Sequence, residues 1–196
     1  MPHWLYNLDK SLFTLINADG AIPALDWFFK LLRLPEAWIP LYLFLLFWIF
    51  RYTRRFAWFF ILFTIICFAI TDYTSASIIK PLIARDRPCY NPELEPVIRV
   101  LVDCAGRFSM PSSHASNHFG LAAFWYAAVF FMKGRKWWWL WLWAIMVGYA
   151  QIYVGKHYPL DILVGAVHGI FVGLIIAAVF KWAVNKYYDK RSTGVE

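Results

Sequence analysis

Long apolar runs alternate with short charged breaks along this chain, and the spacing of the two predicts membrane-spanning helices. Four runs approach or reach the ~20 residues that carry a helix across a bilayer. They cover residues 37–50, 56–70 with a more polar extension toward Lys80, 119–132 with the turn before it, and 137–154; a fifth covers 160–182. Before them, residues 6–17 and 22–34 set Leu, Phe and Ile at helical spacing around Asp9, Lys10, Asp26 and Lys30. Charges at that density suit helices lying in the membrane interface better than spans. Residues 1–35 are therefore predicted to be interfacial helices, with a sixth, poorly hydrophobic span as the alternative. No linker, low-complexity tract or internal repeat interrupts residues 1–196, so the pattern predicts one domain, an all-α integral membrane helical bundle of five or six transmembrane helices. The N-terminus lacks a basic segment followed by a clean apolar one, so no cleaved leader is expected.

Composition agrees: 61% of the 196 residues are hydrophobic, 21% are aromatic and 16% are charged, far from the averages of soluble domains. Short basic loops set the orientation. Arg51, Arg54 and Arg55, then Lys133, Arg135 and Lys136, then Lys181, Lys186, Lys190 and Arg191 hold ten of the 19 Lys and Arg residues, with only Asp189 and Glu196 as acidic company. These loops are placed in the cytoplasm. The net charge of +7 then reads as a topology signal. Nucleic-acid binding is a distant alternative and no nucleic-acid partner is expected, because no solvent-exposed basic face with interleaved aromatics emerges. Trp137, Trp138, Trp139, Trp141 and Trp143 fit an interfacial belt, with a Trp-lined ligand groove as the sharper alternative. Cys67 falls in a span. Cys89 and Cys104 flank the long outer loop, residues 81–111, where an oxidising compartment would permit a disulfide; two unpaired thiols are the alternative.

Three polar clusters fall on the other face, and ionisable groups at a membrane boundary are costly unless used. The first, KPLIARDRP, carries Lys80, Arg85 and Arg87, cations whose mutual repulsion an anion such as phosphate would relieve; a basic loop at lipid headgroups is the plainer reading. The second is SMPSSHASNH. Pro111 suits the first turn of a helix, Ser residues can cap it, and a helix N-terminus attracts anions, which puts His114 beside whatever anion binds. His118, four residues on, is read as hydrogen-bonded filling of the bundle interior, as is Asn117, rather than as a metal ligand. The third, GKHYPLD, sets His157 four residues before Asp161 with Pro159 between, as a turn into the last helix. A carboxylate on one imidazole nitrogen fixes the tautomer and frees the other; a structural hydrogen bond is the alternative. His168, near Gly165 and Gly169, is assigned to helix packing. Together the clusters suit phosphoryl transfer, with one imidazole attacking phosphorus and a second protonating the leaving oxygen, without metal.

The sequence resembles the PAP2 lipid phosphatases, whose signature is K-x6-RP, PSGH and SR-x5-H-x3-D. Lys80, Arg87 and Pro88 match the first part; Pro111, Ser112, Ser113 and His114 match the second with Ser113 in place of Gly; His157 and Asp161 match the end of the third. The resemblance implies a PAP2/haloperoxidase-like helical core and no cofactor. His157 is then the nucleophile, Asp161 its orienting carboxylate and His114 the acid for the leaving group; Lys80, Arg87, Ser112 and the Ser113 amide bind phosphate. Where the family has Ser-Arg, this chain has Ala150 and Gln151. Gln151 offers a hydrogen bond without charge, and Lys156, Arg85 and Arg107 are the candidate replacements. The expected function is an integral membrane lipid phosphatase, multi-pass in a bacterial inner (cell) membrane, with its site facing the periplasm or the outside. Its expected partners are membrane lipids and a lipid phosphate: undecaprenyl diphosphate, a lipid A phosphate or phosphatidylglycerol phosphate. No protein partner is expected. The alternatives are a phosphotransferase to another lipid, an anion or lipid transporter, and an inactive lipid-binding pseudoenzyme.

Overall fold

A computed structural model describes residues 1–192, with side chains through Tyr188; the side chains of Lys190 and Arg191 and all of Glu196 lie outside the described residues. Among these residues the regular structure is helical: α1 (His3–Thr14), α2 (Asp26–Leu32), α3 (Ile39–Tyr52), α4 (Ala57–Tyr73), α5 (Lys80–Ile83), α6 (Ser113–Lys133), α7 (Trp139–Tyr153) and α8 (Pro159–Ser192). A π-helical stretch, Thr74–Ile79, joins α4 to α5, so the polar extension toward Lys80 continues one apolar helix from Arg54 to Ile83. The outer loop accordingly begins after Ile83, because Pro81 is accommodated in the first turn of α5.

The stretches Arg54–Ile83 and Pro159–Tyr188 are each long and apolar enough to cross a membrane. Pro23–Leu32 and Pro35–Tyr52 reach that length together, but with a bend of 74° between them. The break has a local cause: Pro35 cannot donate a helical hydrogen bond, and Leu34 before it is extended.

Helices α4, α6 and α8 form the centre of the bundle. Lipid tails are as apolar as the helix surfaces, so close packing rather than the hydrophobic effect holds such helices together. Phe60 stacks on Phe124 with ring centroids 5.6 Å apart, and Phe124 meets Phe180 edge-on at 5.7 Å. Gly165, Gly169 and Gly173 form one stripe of α8 laid against α6. A Cβ at Gly165 would stand 2.6 Å from the Ser112 carbonyl oxygen, and Cβ atoms at Gly169 and Gly173 would overlap the carbonyls of Ser116 and Gly120. His168 rides on this contact, its ring nitrogens 2.9 Å from Thr74 Oγ1 and 3.2 Å from Ser116 Oγ, in the packing role expected.

The basic loops gather at one end. Arg55 packs over the Tyr188 ring, Lys181 over Phe131, and Lys133, Arg135, Tyr52, Trp48 and Trp137 line one hollow. The Trp run divides between two environments. Trp138 is exposed, whereas Trp143 is buried, stacked on Trp125 at 5.4 Å and against His118 at 4.8 Å. Trp143 therefore belongs to the core and not to an interfacial belt, because helical periodicity turns it toward α6.

Candidate active site

Three segments meet at the end of the bundle opposite the basic loops. The chain leaves α7 through Gly155, whose φ of +87° and close approach to the Arg99 carbonyl, 2.5 Å from a built Cβ, leave no place for a side chain. The Gln151 carbonyl then accepts from the backbone N–H groups of Lys156 and His157, at 3.1 and 3.2 Å. Pro159 opens α8, which places Asp161 in its first turn, the turn into a helix that the spacing predicts. Helix α6 starts at Ser113, with Ser112 as its N-cap accepting from the Ala115 N–H at 3.4 Å. Pro111 thus precedes the helix instead of forming its first turn, because Ser112 is held extended and donates its own N–H to the Asp161 carbonyl at 3.0 Å. That bond ties the start of α6 to the start of α8.

His157 is 3% exposed and Asp161 is fully buried. Their Nδ1···Oδ2 separation is 3.5 Å, longer than a formed hydrogen bond. The other nitrogen, Nε2, lies 3.2 Å from Arg87 Nη1. A guanidinium can only donate, so Nε2 accepts and the neutral ring carries its proton on Nδ1, toward Asp161. Burial holds the His157 imidazole well below the ordinary range, at about 4, despite the opposing pull of Asp161. Both carboxylate oxygens of Asp161 are engaged: Oδ2 accepts from the Tyr158 N–H and Oδ1 from Arg85 Nη1, each at 2.8 Å.

The cations fall into two groups. Arg85 is committed elsewhere, reaching Asp161 with one nitrogen and Asp9 Oδ2 with another at 2.6 Å while lying 4.1 Å over the Tyr158 ring. Arg107 is exposed and paired with Asp86 at 2.7 Å, at the neck of the outer loop. Neither replaces the guanidinium absent at position 151, because each already has a carboxylate. Gln151 itself is wholly buried, with neither amide atom hydrogen-bonded. Arg87, Lys80 and Lys156 form no ion pair among the described residues. Arg87 instead donates to the carbonyls of Gly106 and Lys156, at 2.6 and 3.2 Å. Burial, then Arg87 and Arg33, pull the Lys156 ammonium down to about 8. Cys89 and Cys104 are bridged, closing the loop that begins beside Arg87.

A cavity of about 630 Å³ opens on the second cluster. Ser113, His114, Asn117, His118, Asp72 and Arg33 line its polar end; Leu45, Phe60, Ile61 and Ile65 of α3 and α4 are among the apolar side chains of the rest. His118 Nδ1 lies 2.8 Å from the His114 carbonyl oxygen and Asn117 donates to Asp72 at 2.9 Å, the hydrogen-bonded interior roles expected of them. The Ser113 hydroxyl is buried without a partner. Two residues here were missed by sequence reasoning. Asp9 is 3% exposed and caps α8 by accepting from the Leu160 N–H at 2.8 Å. Arg33 lies in the cavity wall. The signal for both was a charge inside an apolar segment, which the interfacial reading absorbed.

A membrane bundle that gathers two imidazoles, a carboxylate and unpaired cations at one end has the parts of a phosphoryl-transfer site. The chain belongs to the PAP2 superfamily, whose family model matches residues 66–185. Lipid A 4'-phosphatase of Bacteroides thetaiotaomicron is 32% identical over 184 residues, 88% of this chain and 77% of that protein. Lipid A 4'-phosphatase of Porphyromonas gingivalis is 27% identical over 186 residues, 94% of this chain and 78% of that one. Among solved structures, LpxE of Aquifex aeolicus superimposes with a TM-score of 0.61 at 27% identity, covering 87% of this chain and 95% of that one.

Proposed function

We propose that this protein is a lipid phosphatase working through a phosphohistidine on His157, with a lipid A phosphate as its first candidate substrate. The observation that carries the reading is the cavity, polar at His114 and apolar between α3, α4 and α6. A phosphate at the polar end would leave the acyl chains of its lipid in the apolar part. The names of the two relatives favour lipid A.

On substrate binding, a phosphate oxygen takes over the Arg87 donor that otherwise meets Nε2, and Lys80, Ser112 and the Ser113 N–H complete the cradle at the N-terminus of α6. The freed Nε2 lone pair attacks phosphorus, the bond to the lipid oxygen breaks, and His114 gives that oxygen its proton. Asp161 stabilises the positive charge left on the ring. Water, deprotonated by His114, then attacks the phosphohistidine, releasing phosphate and restoring both histidines. The scheme uses no metal. Five spans, one domain over residues 1–196, the cytoplasmic placement of the basic loops and a periplasmic site in a bacterial inner membrane all belong to this reading.

The test is phosphate release by purified protein in detergent from lipid A, undecaprenyl diphosphate and phosphatidylglycerol phosphate, beside His157→Ala. Release from at least one lipid, lost in the variant, is expected. Equal release by the variant overturns the assignment, and label appearing on a second lipid instead of as free phosphate makes the protein a phosphotransferase.

A further inference from the structure

Position 151 lacks the guanidinium of the family signature, and the phosphate site proposed above is left with one arginine, Arg87. A second arginine, from the opposite end of the sequence, lines the cavity on which Ser113 and His114 open. Arg33 follows the buried Leu32 at the end of α2 and lines the cavity with Ser113, His114 and Asn117. Its position is fixed at both ends of α2. Upstream, Asp26 accepts from the Tyr153 hydroxyl at 2.8 Å and pairs with Arg99 at 2.7 Å. Downstream, Trp38 Nε1 donates to the Leu32 carbonyl at 2.7 Å, and its ring meets Trp143 at 5.7 Å, the same indole that packs against His118.

The Arg33 Nε is buried without a hydrogen-bond partner, and the side chain forms no ion pair among the described residues. Its charge acts on Arg87, Lys156 and His114. Asp72 shares the cavity, but its Oδ1 already accepts from Asn117. An unpaired guanidinium held among other unpaired cations is unfavourable unless an anion joins them, and a planar fork is the group that binds phosphate oxygens in pairs.

We propose that Arg33 is a phosphate-binding residue of the active site, replacing from the α2 end the guanidinium that Gln151 does not supply. The inference rests on the phosphatase reading, and the experiment separates the two. Purified wild type, Arg33→Ala, Arg33→Lys and the control Lys30→Ala, an exposed position on the same helix, are compared in kcat/KM for a cleaved lipid phosphate and in inhibition by vanadate, with melting temperature as a check on folding. Loss of one charge-assisted contact is expected to lower kcat/KM and weaken vanadate inhibition by about 10- to 100-fold in Arg33→Ala. Arg33→Lys retains part of both, Lys30→Ala all of both, and millimolar guanidinium partly rescues Arg33→Ala. An active wild type with unchanged kcat/KM and vanadate inhibition in Arg33→Ala overturns the inference while leaving the phosphatase reading intact. Should Arg33→Ala not fold, Arg33→Lys decides: wild-type vanadate inhibition in it overturns the inference, and weakened inhibition at an unchanged melting temperature supports it. A wild type that cleaves no lipid phosphate overturns the reading beneath both.

Discussion

Arg85 donates to Asp161 at 2.8 Å and, with its other terminal nitrogen, to Asp9 at 2.6 Å. The first helix thereby braces the carboxylate that faces His157. Asp9 also accepts from the Leu160 N–H, so one buried side chain of α1 serves both a guanidinium and the N-terminus of α8.

Removing one partner of a buried ion pair costs about 3 to 5 kcal/mol. Asp9→Ala is therefore expected to melt well below wild type in detergent and to lose turnover, because Arg85, which holds Asp161, then loses its second carboxylate anchor. Asp9→Asn, which keeps an acceptor for Leu160, is expected to fall between the two. An unchanged melting temperature in Asp9→Ala would show that the brace contributes nothing.

The pH profile should report the burial of His157. Protonating Nε2 removes the attacking lone pair, so activity falls as pH drops through the folded-state value. That value is about 4, against ~6.5 for a free imidazole. The acid limb of kcat/KM is expected well below pH 6. Stability carries the same sign. Between ~6.5 and about 4 the unfolded chain binds the proton that the folded site refuses, so the contribution of neutral His157 to stability declines as pH falls through that window. An acid limb near the free-imidazole value would contradict the burial argument.

The apolar wall of the cavity can be tested apart from the chemistry. Ile61→Trp, between α3 and α4, is expected to raise KM for a long-chain lipid phosphate severalfold and to leave a short-chain phosphate ester unaffected. Equal effects on both substrates would show that the acyl chains lie elsewhere.

The loop carrying Arg87 is closed by the Cys89–Cys104 bridge over 15 residues, a span for which cross-linking is worth about 3 kcal/mol. Reductant is expected to lower the melting temperature and to weaken phosphate binding together. Non-reducing mass spectrometry that finds both thiols free would remove this element.

What the sequence made legible was local. The seven-residue step from Lys80 to Arg87, the four-residue step from His157 to Asp161, and the polar start of α6 are short spacings along the chain, each confined to one helix end and the turn beside it. The roles of Asp9 and Arg33 depend on how α1 and α2 lie across the ends of α6, α7 and α8, contacts spanning some 80 to 150 positions. Periodicity carries no information about such contacts. The partner of Arg85 is hidden for the same reason: its bond to Asp9 is invisible until both helices are placed. The apolar runs marked where helices form, but Pro23, Pro35 and the 74° bend between the flanking helices decide how the early segment sits.

The most direct test asks where the phosphoryl group goes. Wild-type protein mixed with a lipid phosphate labelled on phosphorus, quenched in base within milliseconds and digested, is expected to yield label on the peptide containing His157, stable in base and lost in acid. Rapid turnover with no label on that residue at any time would contradict the account.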